Sequence, residues 1–570
     1  MSNHGAVGEG VFDVVIVGSG AAGLTAAVVA AHCGLSVVVL EKSRWVGGTT
    51  ALSGGVLWVP NNDHVADVGQ TDSIEKARTY LDAVVGDLVS ADWKDTYLAR
   101  APEAMRFLEQ HSDLKCSTRA ITPDYLSELP GASSGGRILD PLEFDGRILG
   151  ERFKDLRPPL AEFGLFGKLM VNRIDVDRLL SATRSPASAW HALKLVTRYA
   201  WDRLRYPRGT RLLMGNALAA RLYKSVLDLG LPVRMNHAVK QLLRENDRVV
   251  GVEVDSPAGV LVLRARHAVI LATGGFAASG AMRRELLPEA PEPLSSANPD
   301  SVGDGIRMAL EQGGVVAPPN TNNAFWTPVS LGQRPDGSTV RFPHLMFDRA
   351  KPGLIAVNGA GQRFTNEADS YHEFGRALTG TATGTPVPVA YVLCDHRFIT
   401  RYTFGMVRPT RSSLQSCLKS GYLVRAESME ALAQKIELPA QALVRTVADY
   451  NADAAAGLDR AFGKGSSAYN RYLGDATHAP NPCLAPLDRA PFYAIRVYAG
   501  DIGTTRGLVT NTDSQVLDQG SLAIAGLYAC GNDMNSMMGG EYPGAGITLG
   551  PAVTFAYLAV QHIAHSAGQA

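Results

Sequence analysis

The chain has 570 residues, 46% of them hydrophobic and 19% charged, and its 55 basic and 55 acidic side chains balance to a formal charge of zero. That length exceeds one ordinary core and points to two or more domains, and the neutral balance offers nothing to attract nucleic acid or an anionic membrane. The cysteines, Cys33, Cys116, Cys394, Cys417, Cys483 and Cys530, form no C-x-x-C pair, which fits a reducing cytosol and argues against a zinc site or a disulfide framework. The N-terminal residues show no basic stretch ahead of an apolar core, so no signal peptide is expected. No run of about 18 uninterrupted apolar residues occurs, so no transmembrane helix is expected.

Residues 12–17, Phe-Asp-Val-Val-Ile-Val, read as a buried strand. Gly18-Ser-Gly20-Ala21-Ala22-Gly23 follows, then an Ala-rich helix over 24–33, a stop at Gly34, and a second strand over 36–40 closing on Glu41. This is a complete β-α-β unit with a Gly-x-Gly-x-x-Gly turn and a terminal acid, the pattern of a dinucleotide site. Gly18 permits the tight turn, Gly20 admits the pyrophosphate, Gly23 lets the helix pack on the strand, and Glu41 accepts hydrogen bonds from ribose hydroxyls. A second loop of glycines and hydroxyls, Gly47-Gly48-Thr49-Thr50-Ala-Leu-Ser53-Gly54-Gly55, comes soon after. A plain nicotinamide domain has no use for it. An FAD laid along the sheet does, because its flavin end needs close backbone and hydroxyl contacts.

Residues 61–120 alternate polar helical segments with scattered aromatics and carry no motif. Thr122-Pro-Asp-Tyr125 reads as a turn; on these residues alone, Tyr125 is equally a packed loop tyrosine. The aromatic and basic stretch 150–210 suggests amphipathic helices, serving ordinary packing, a lid, an oligomer surface or a membrane-surface contact. A helix over 215–229 precedes short strands over 232–235, 249–254 and 260–263. A buried strand over 267–271 then runs into Ala272-Thr273-Gly274-Gly-Phe276, and Gly303-Asp304-Gly305 opens a further helix. A strand over 354–357 and a polar turn lead to Arg363-Phe-Thr-Asn-Glu367 and on to Tyr371. His372 beside it reads as a spectator or a proton relay. A strand over 389–393 and a helix over 439–453 bring no chemistry. Strands over 491–497 and at 527–530, the latter ending in Gly531-Asn532-Asp533, precede a glycine-rich run, 539–550, with Tyr542 in its middle. The helix expected over 551–560 presents unsatisfied N–H groups and a partial positive charge at its start, which suits an anionic atom.

The loop from Gly47 to Pro60, the Ala-Thr-Gly-Gly element, Arg-Phe-x-Asn-Glu followed by a tyrosine, and Tyr542-Pro-Gly-x-Gly546 together resemble the fumarate reductase-like flavoproteins and, within them, the 3-ketosteroid dehydrogenases. Only 61–120 and 150–210 lack anchors for this resemblance. It implies an α/β fold, with a Rossmann-like FAD-binding domain (1–279 and 488–570) and an inserted α+β substrate, or capping, domain (280–487). It implies FAD held non-covalently, because relatives with covalent FAD carry a histidine in the loop that here spans 47–60 and has none. It assigns cofactor contacts to Gly18, Gly20, Ala21, Ala22, Gly23, Glu41, Lys42, Gly48, Thr49, Thr50, Ser53, Gly54 and Gly55. Val239, Ala272, Thr273, Gly274, Asp304, Gly531, Asn532, Gly546, Ile547 and Leu549 complete that set. It gives Tyr371 the role of base and Tyr125 that of its helper.

Three functions compete on these residues: desaturation of a cyclic ketone beside its carbonyl, oxidoreduction of a fumarate-type dicarboxylate, and electron carriage without a substrate site. A dicarboxylate calls for arginine and histidine partners. The fumarate class places them in the final glycine-rich stretch, yet no His or Arg occurs over 539–560. A pure carrier has no need of tyrosines at three matching places. The expected activity is therefore that of a 3-oxosteroid (cyclic ketone) dehydrogenase, with a smaller ring such as a cyclohexanone derivative, or a dicarboxylate, as alternatives. Tyr542 O–H and the Gly546 N–H hold the developing enolate oxygen, Tyr371 takes the α-proton, and the β-hydrogen leaves as hydride to flavin N5. A small-molecule ketone or steroid and an external electron acceptor are the expected partners, with no nucleic acid and no second nucleotide. The expected location is the cytoplasm, with membrane-surface association and oligomeric state left open.

Overall fold

The computed structural model describes residues 9–180, 185–334, 336–381 and 388–568. The extreme N-terminus, read above for a leader, lies outside them. Valines and isoleucine at 14–17 and 37–39 make β1 (Glu9–Val17) and β2 (Val37–Glu41), which pair in parallel with Val14 opposite Val37. Between them α1 (Ala21–His32) is buried from Ala21 to Ala30, its small side chains letting it lie close to its neighbours. Next come α2 (Ala91–His111), α3 (Pro186–Arg205) and α4 (Met214–Asp228). Of these, α4 rests on α1.

β3 (Val233–Met235) joins the outer edge of β2. β4 (Ala238–Glu245), β5 (Arg248–Ser256) and β6 (Gly259–Leu271) form an antiparallel meander. β6 is one strand where the sequence reads two. The reason is β1, which offers a parallel partner from Glu9–Val262 through to Val17–Leu271 and so keeps the intervening residues extended.

The chain then leaves this sheet. α5 (Asp304–Glu311) precedes β7 (Ala324–Gln333), β8 (Thr339–Pro343) and β9 (Leu354–Asn358). α6 (Tyr371–Thr379), β10 (Val389–Cys394), β11 (Val424–Ala426), α7 (Ala468–Leu473) and β12 (Phe492–Thr504) follow. The strands make a six-stranded sheet in the order β8-β7-β12-β10-β9, with β11 paired to β12. β12 is central, hydrogen-bonded to β7 and β10, and this double pairing extends it beyond the 491–497 stretch read from alternation. The strand that follows residue 488 therefore belongs to this second sheet. The first sheet resumes with β13 (Gln515–Leu517) and β14 (Ala523–Ala529), giving the order β3-β2-β1-β6-β5-β14-β13 with β4 on β5. α8 (Leu549–Ser566), apolar on nearly every side, packs against α1 and α2. The result is a mixed α/β fold of two sheets. Among the described residues, no helix is long and apolar enough to cross a membrane, and every cysteine is a free thiol.

Candidate active site

Tyr371 is the first residue of α6, whose N-cap, Ser370, accepts a hydrogen bond from the Glu373 amide. The approach to it is rigid. Arg363 bridges Glu367 (2.7 Å) and Asp459 (2.9 Å), and Glu367 also takes the Ala356 N–H on β9. Tyr542 lies in the glycine-rich loop before α8. Its hydroxyl accepts a hydrogen bond from the Tyr371 hydroxyl at 2.6 Å across 171 residues of sequence. Tyr125 stacks on Tyr542, ring centroids 5.3 Å apart at 11°, and meets Tyr371 edge-on at 5.7 Å. The backbone explains the stacking: the Tyr125 N–H and the Tyr80 hydroxyl both donate to the Pro543 carbonyl, locking one loop to the other. Asp124 anchors the same turn to Trp58 Nε1 and Arg137.

All three phenols are buried. Burial pushes Tyr542 up to about 12 and holds Tyr125 and Tyr371 well above the usual tyrosine value, the neighbouring phenols adding to the effect on both. Gly546, at φ 97°, cannot carry a side chain, because a Cβ there would stand 2.6 Å from the Trp58 nitrogen. Its carbonyl takes the Trp58 and Gly550 amides, while its own N–H donates to no other described residue. A phenolic donor and an unengaged amide thus lie in one short loop, beside a second phenol. His372, Glu373 and Glu541 each bring a ligand atom within 4.8 Å of the others. His372 Nδ1, however, accepts the Trp326 amide at 3.2 Å, which leaves the proton of the neutral ring on Nε2, the wrong state for a metal ligand.

A glycine-built cradle occupies the end of β1. Gly18 sits at φ 111°, and a Cβ there would come within 2.2 Å of the Ala272 carbonyl; one on Gly23 would strike the Gly18 carbonyl at 2.0 Å. Gly20 caps α1 without a side-chain hydrogen bond, and no acid stands in the helix's first turn. Thr50 Oγ1 takes the Ala21 N–H at 2.9 Å, and Gly48 and Gly531 approach Gly20 and Ala22. Such an amide-lined, acid-free helix start fits a diphosphate. Glu41 accepts from Ser19 Oγ (2.6 Å) and the Ser43 amide (2.9 Å), so it also ties the turn together. Lys42 meets Asp304 at 2.6 Å, and Thr49 Oγ1 takes the Asn298 N–H. Ser53 closes its own turn on Thr50, and Gly55 packs against the start of α4, while Gly54 stands open.

Gly274 faces Ser301, and Asn532 lies against Gly503. Ile547 is buried and Leu549 begins α8. Val239 packs in an apolar cluster with Val38 and Leu40. The donors and the glycine-lined space suit FAD.

The roles of several residues at these sites escape sequence reading. Asp533, fully buried, accepts from Thr273 Oγ1 (2.8 Å) and the Gly275 N–H (2.9 Å), closing the junction where β6 ends and β14 returns. Tyr469 on α7 is a fourth phenol, 4.8 Å from Tyr125, in a helix that showed no chemical signal. Arg349 binds the backbone just ahead of Tyr371.

Residues 13–549 match the family described as an FAD binding domain, and the chain belongs to that family of flavoproteins; FAD is its cofactor. Over 98% of its length, and 98% of the other's, the chain is 39% identical to a 3-oxosteroid 1-dehydrogenase of Mycolicibacterium smegmatis. It is 37% identical over 97% of its length, and 94% of the other's, to a 4-oxocyclohex-2-ene-1-carboxylate 5-dehydrogenase of Sinomonas cyclohexanicum. The crystal structure of 3-ketosteroid delta1-dehydrogenase from Sterolibacterium denitrificans in complex with 1,4-androstadiene-3,17-dione superposes with a TM-score of 0.90 at 38% identity, covering 98% of this chain and 100% of that one.

Proposed function

We propose that this chain is an FAD-dependent 3-oxosteroid 1-dehydrogenase, an oxidoreductase acting on a CH–CH group beside a ketone. The observation that carries the reading is the pair of phenol oxygens 2.6 Å apart, Tyr371 and Tyr542, the latter in the same loop as the unengaged Gly546 amide. Base and carbonyl donors then reach neighbouring atoms of one ketone.

Tyr542 O–H and Gly546 N–H bind the carbonyl oxygen and stabilise it as negative charge develops, each such donor contributing roughly 3 kcal/mol. Tyr371, once ionised to the phenolate, takes the α-proton and becomes the neutral phenol. Tyr125, in edge contact, orients Tyr371 and shields it from water. FAD, when bound, supplies the two-electron acceptor for the β-hydrogen, which departs as hydride while the C=C bond forms. Gly18, Gly20, Gly23, Glu41, Thr49, Thr50, Asp304 and Asn532 head the residues that hold it. The retention is non-covalent, since no histidine lies over 47–60, and an external acceptor removes the electrons.

The architecture behind this is a Rossmann-type FAD domain, built on the first sheet, with the second sheet as an inserted cap. α3 supports an association with a membrane surface: Trp190, Leu193, Trp201 and Leu204 are exposed on one face, with Lys194, Arg198, Arg203 and Arg205 around them.

A smaller ring ketone is the second reading, favoured by the similarity to the Sinomonas enzyme. A carboxylate on that ring would need a cation, yet Arg137 and Arg376, near the cluster, are already paired with acids, and the side-chain donors of Arg349 are taken by backbone carbonyls. Anaerobic mixing of the holoenzyme with androst-4-ene-3,17-dione, cyclohexanone and succinate separates the readings. Bleaching of the flavin by the steroid is expected, and bleaching by succinate alone would overturn the proposal.

A further inference from the structure

The phenols have a nearly neutral surround. Asp124 is paired with Arg137, Glu373 and Glu541 face Arg376, and Glu367 is held by Arg363 and Lys464. Burial keeps His372 uncharged, pushing it down to about 3, and holds Asp369 above the usual carboxylate value. One cation differs from the rest. Arg349 is 1% exposed and, among the described residues, forms no ion pair. Its Nε donates to the His344 carbonyl (3.0 Å) and Nη2 to that of Leu345 (2.7 Å). Nη1 donates to the carbonyls of Glu367 (2.8 Å) and Asp369 (2.9 Å).

The adjacent acid, Asp348, accepts the Arg349 main-chain amide at 2.9 Å, while the guanidinium nitrogens go to carbonyls. The Asp348 carboxylate also takes His344 Nδ1 at 2.7 Å and the Gly405 amide at 3.1 Å, and its field falls on Tyr422 and Cys394. The field of Arg349 acts most on Asp348 and extends to Tyr469, Asp369 and Tyr125. Carbonyls satisfy the donors of a guanidinium but leave its charge, and burying an unpaired charge is costly. A clamp made only to hold loops together has no need of that charge. The carbonyls of Glu367 and Asp369 flank the turn into α6, whose first residue is Tyr371, so the same group sets the direction in which that side chain leaves the backbone.

We propose that Arg349 is a positioning residue of the ketone site, stapling the segment before Tyr371 to the 344–345 turn and supplying the fixed positive charge that stabilises the cluster when a phenol ionises. The proposal rests on the reading of Tyr371 as the base. It predicts that charge and shape separate on substitution. In the FAD-loaded Arg349→Met variant, the alkaline rise of the flavin-reduction rate with androst-4-ene-3,17-dione moves to higher pH by about one unit, roughly a tenfold lower rate at any pH below the rise. Arg349→Lys keeps the position of the rise but lowers its plateau, because the fork that fits the carbonyls is lost.

A loss of plateau in both variants with an unmoved rise would make Arg349 a structural clamp only and overturn the charge claim. Ultraviolet titration of tyrosinate in the same holoenzymes needs no substrate. Should the wild-type flavin respond to no ketone, the function would fall, while a later tyrosinate onset in Arg349→Met would still support the charge. Should Arg349→Met not fold, Arg349→Lys decides alone: an unchanged tyrosinate onset supports the proposal, and a delayed one overturns it.

Discussion

The nucleotide cradle and the tyrosine site are built by opposite means. The cradle is made of backbone and paired charge: Gly18 and Gly48 at positive φ, the bare start of α1 and the Lys42–Asp304 pair. The tyrosine site keeps charge at a distance and puts movable protons at its centre, on Tyr125, Tyr371 and Tyr542, with Phe325 edge-on to Tyr542 at 5.5 Å. A diphosphate is permanently charged and is best met by groups that never change state. A neutral ketone becomes charged only in passing, and is best met by hydroxyls that can yield or keep a proton.

The sharpest way to break this contrast is to damage each side separately. Gly18→Ala puts a methyl group 2.2 Å from the Ala272 carbonyl at a φ unfit for it, so the purified protein should lack flavin absorbance and all activity with it. Tyr542→Phe should retain the flavin spectrum yet reduce ketone-driven bleaching roughly 100-fold or more; loss of flavin in that variant would mean that the two regions are not independent. Asp533→Ala strips partners from the half-buried Thr273 and buried Gly275 amides and should cost about 2 kcal/mol, read as a lower urea midpoint.

The pH response separates site from fold. Tyr125 and Tyr371 are raised above the usual phenol range, so the rate of flavin reduction should climb from neutral toward alkaline pH as the base ionises. The sign for stability is the reverse: a raised folded value stabilises below the unfolded value of about 10, and this is lost as pH rises through the folded one. Stopped-flow bleaching and chemical denaturation across that range test both. The smallest effect concerns neither region. Replacing Trp201 and Leu204 with Glu should lower sedimentation with anionic vesicles and change ketone turnover by less than about twofold.

How much could be read in advance depended on sequence distance. The Gly-x-Gly-x-x-Gly turn, α1 and β2 are contiguous, and each local preference agrees with the fold, so they were legible from the residues themselves. Tyr371 and Tyr542 stood out only through a resemblance, because their meeting depends on two loops far apart in sequence. Asp533 was visible only as the end of a Gly-Asn-Asp string, without its role, and Arg349 escaped altogether. Asp533 acts on Thr273, 260 residues away, and the partners of Arg349 are carbonyls, which every residue has. β6 was split into two because periodicity ignores the neighbour that held it straight.

The Pro543 carbonyl accepts hydrogen bonds from both the Tyr80 hydroxyl and the Tyr125 amide. Retracting that wall of the cleft would break both at once, at a cost of roughly 2 kcal/mol. The loops that carry Tyr125 and Tyr542 are therefore coupled, and the stacked pair of rings behaves as one wall rather than as two independent side chains.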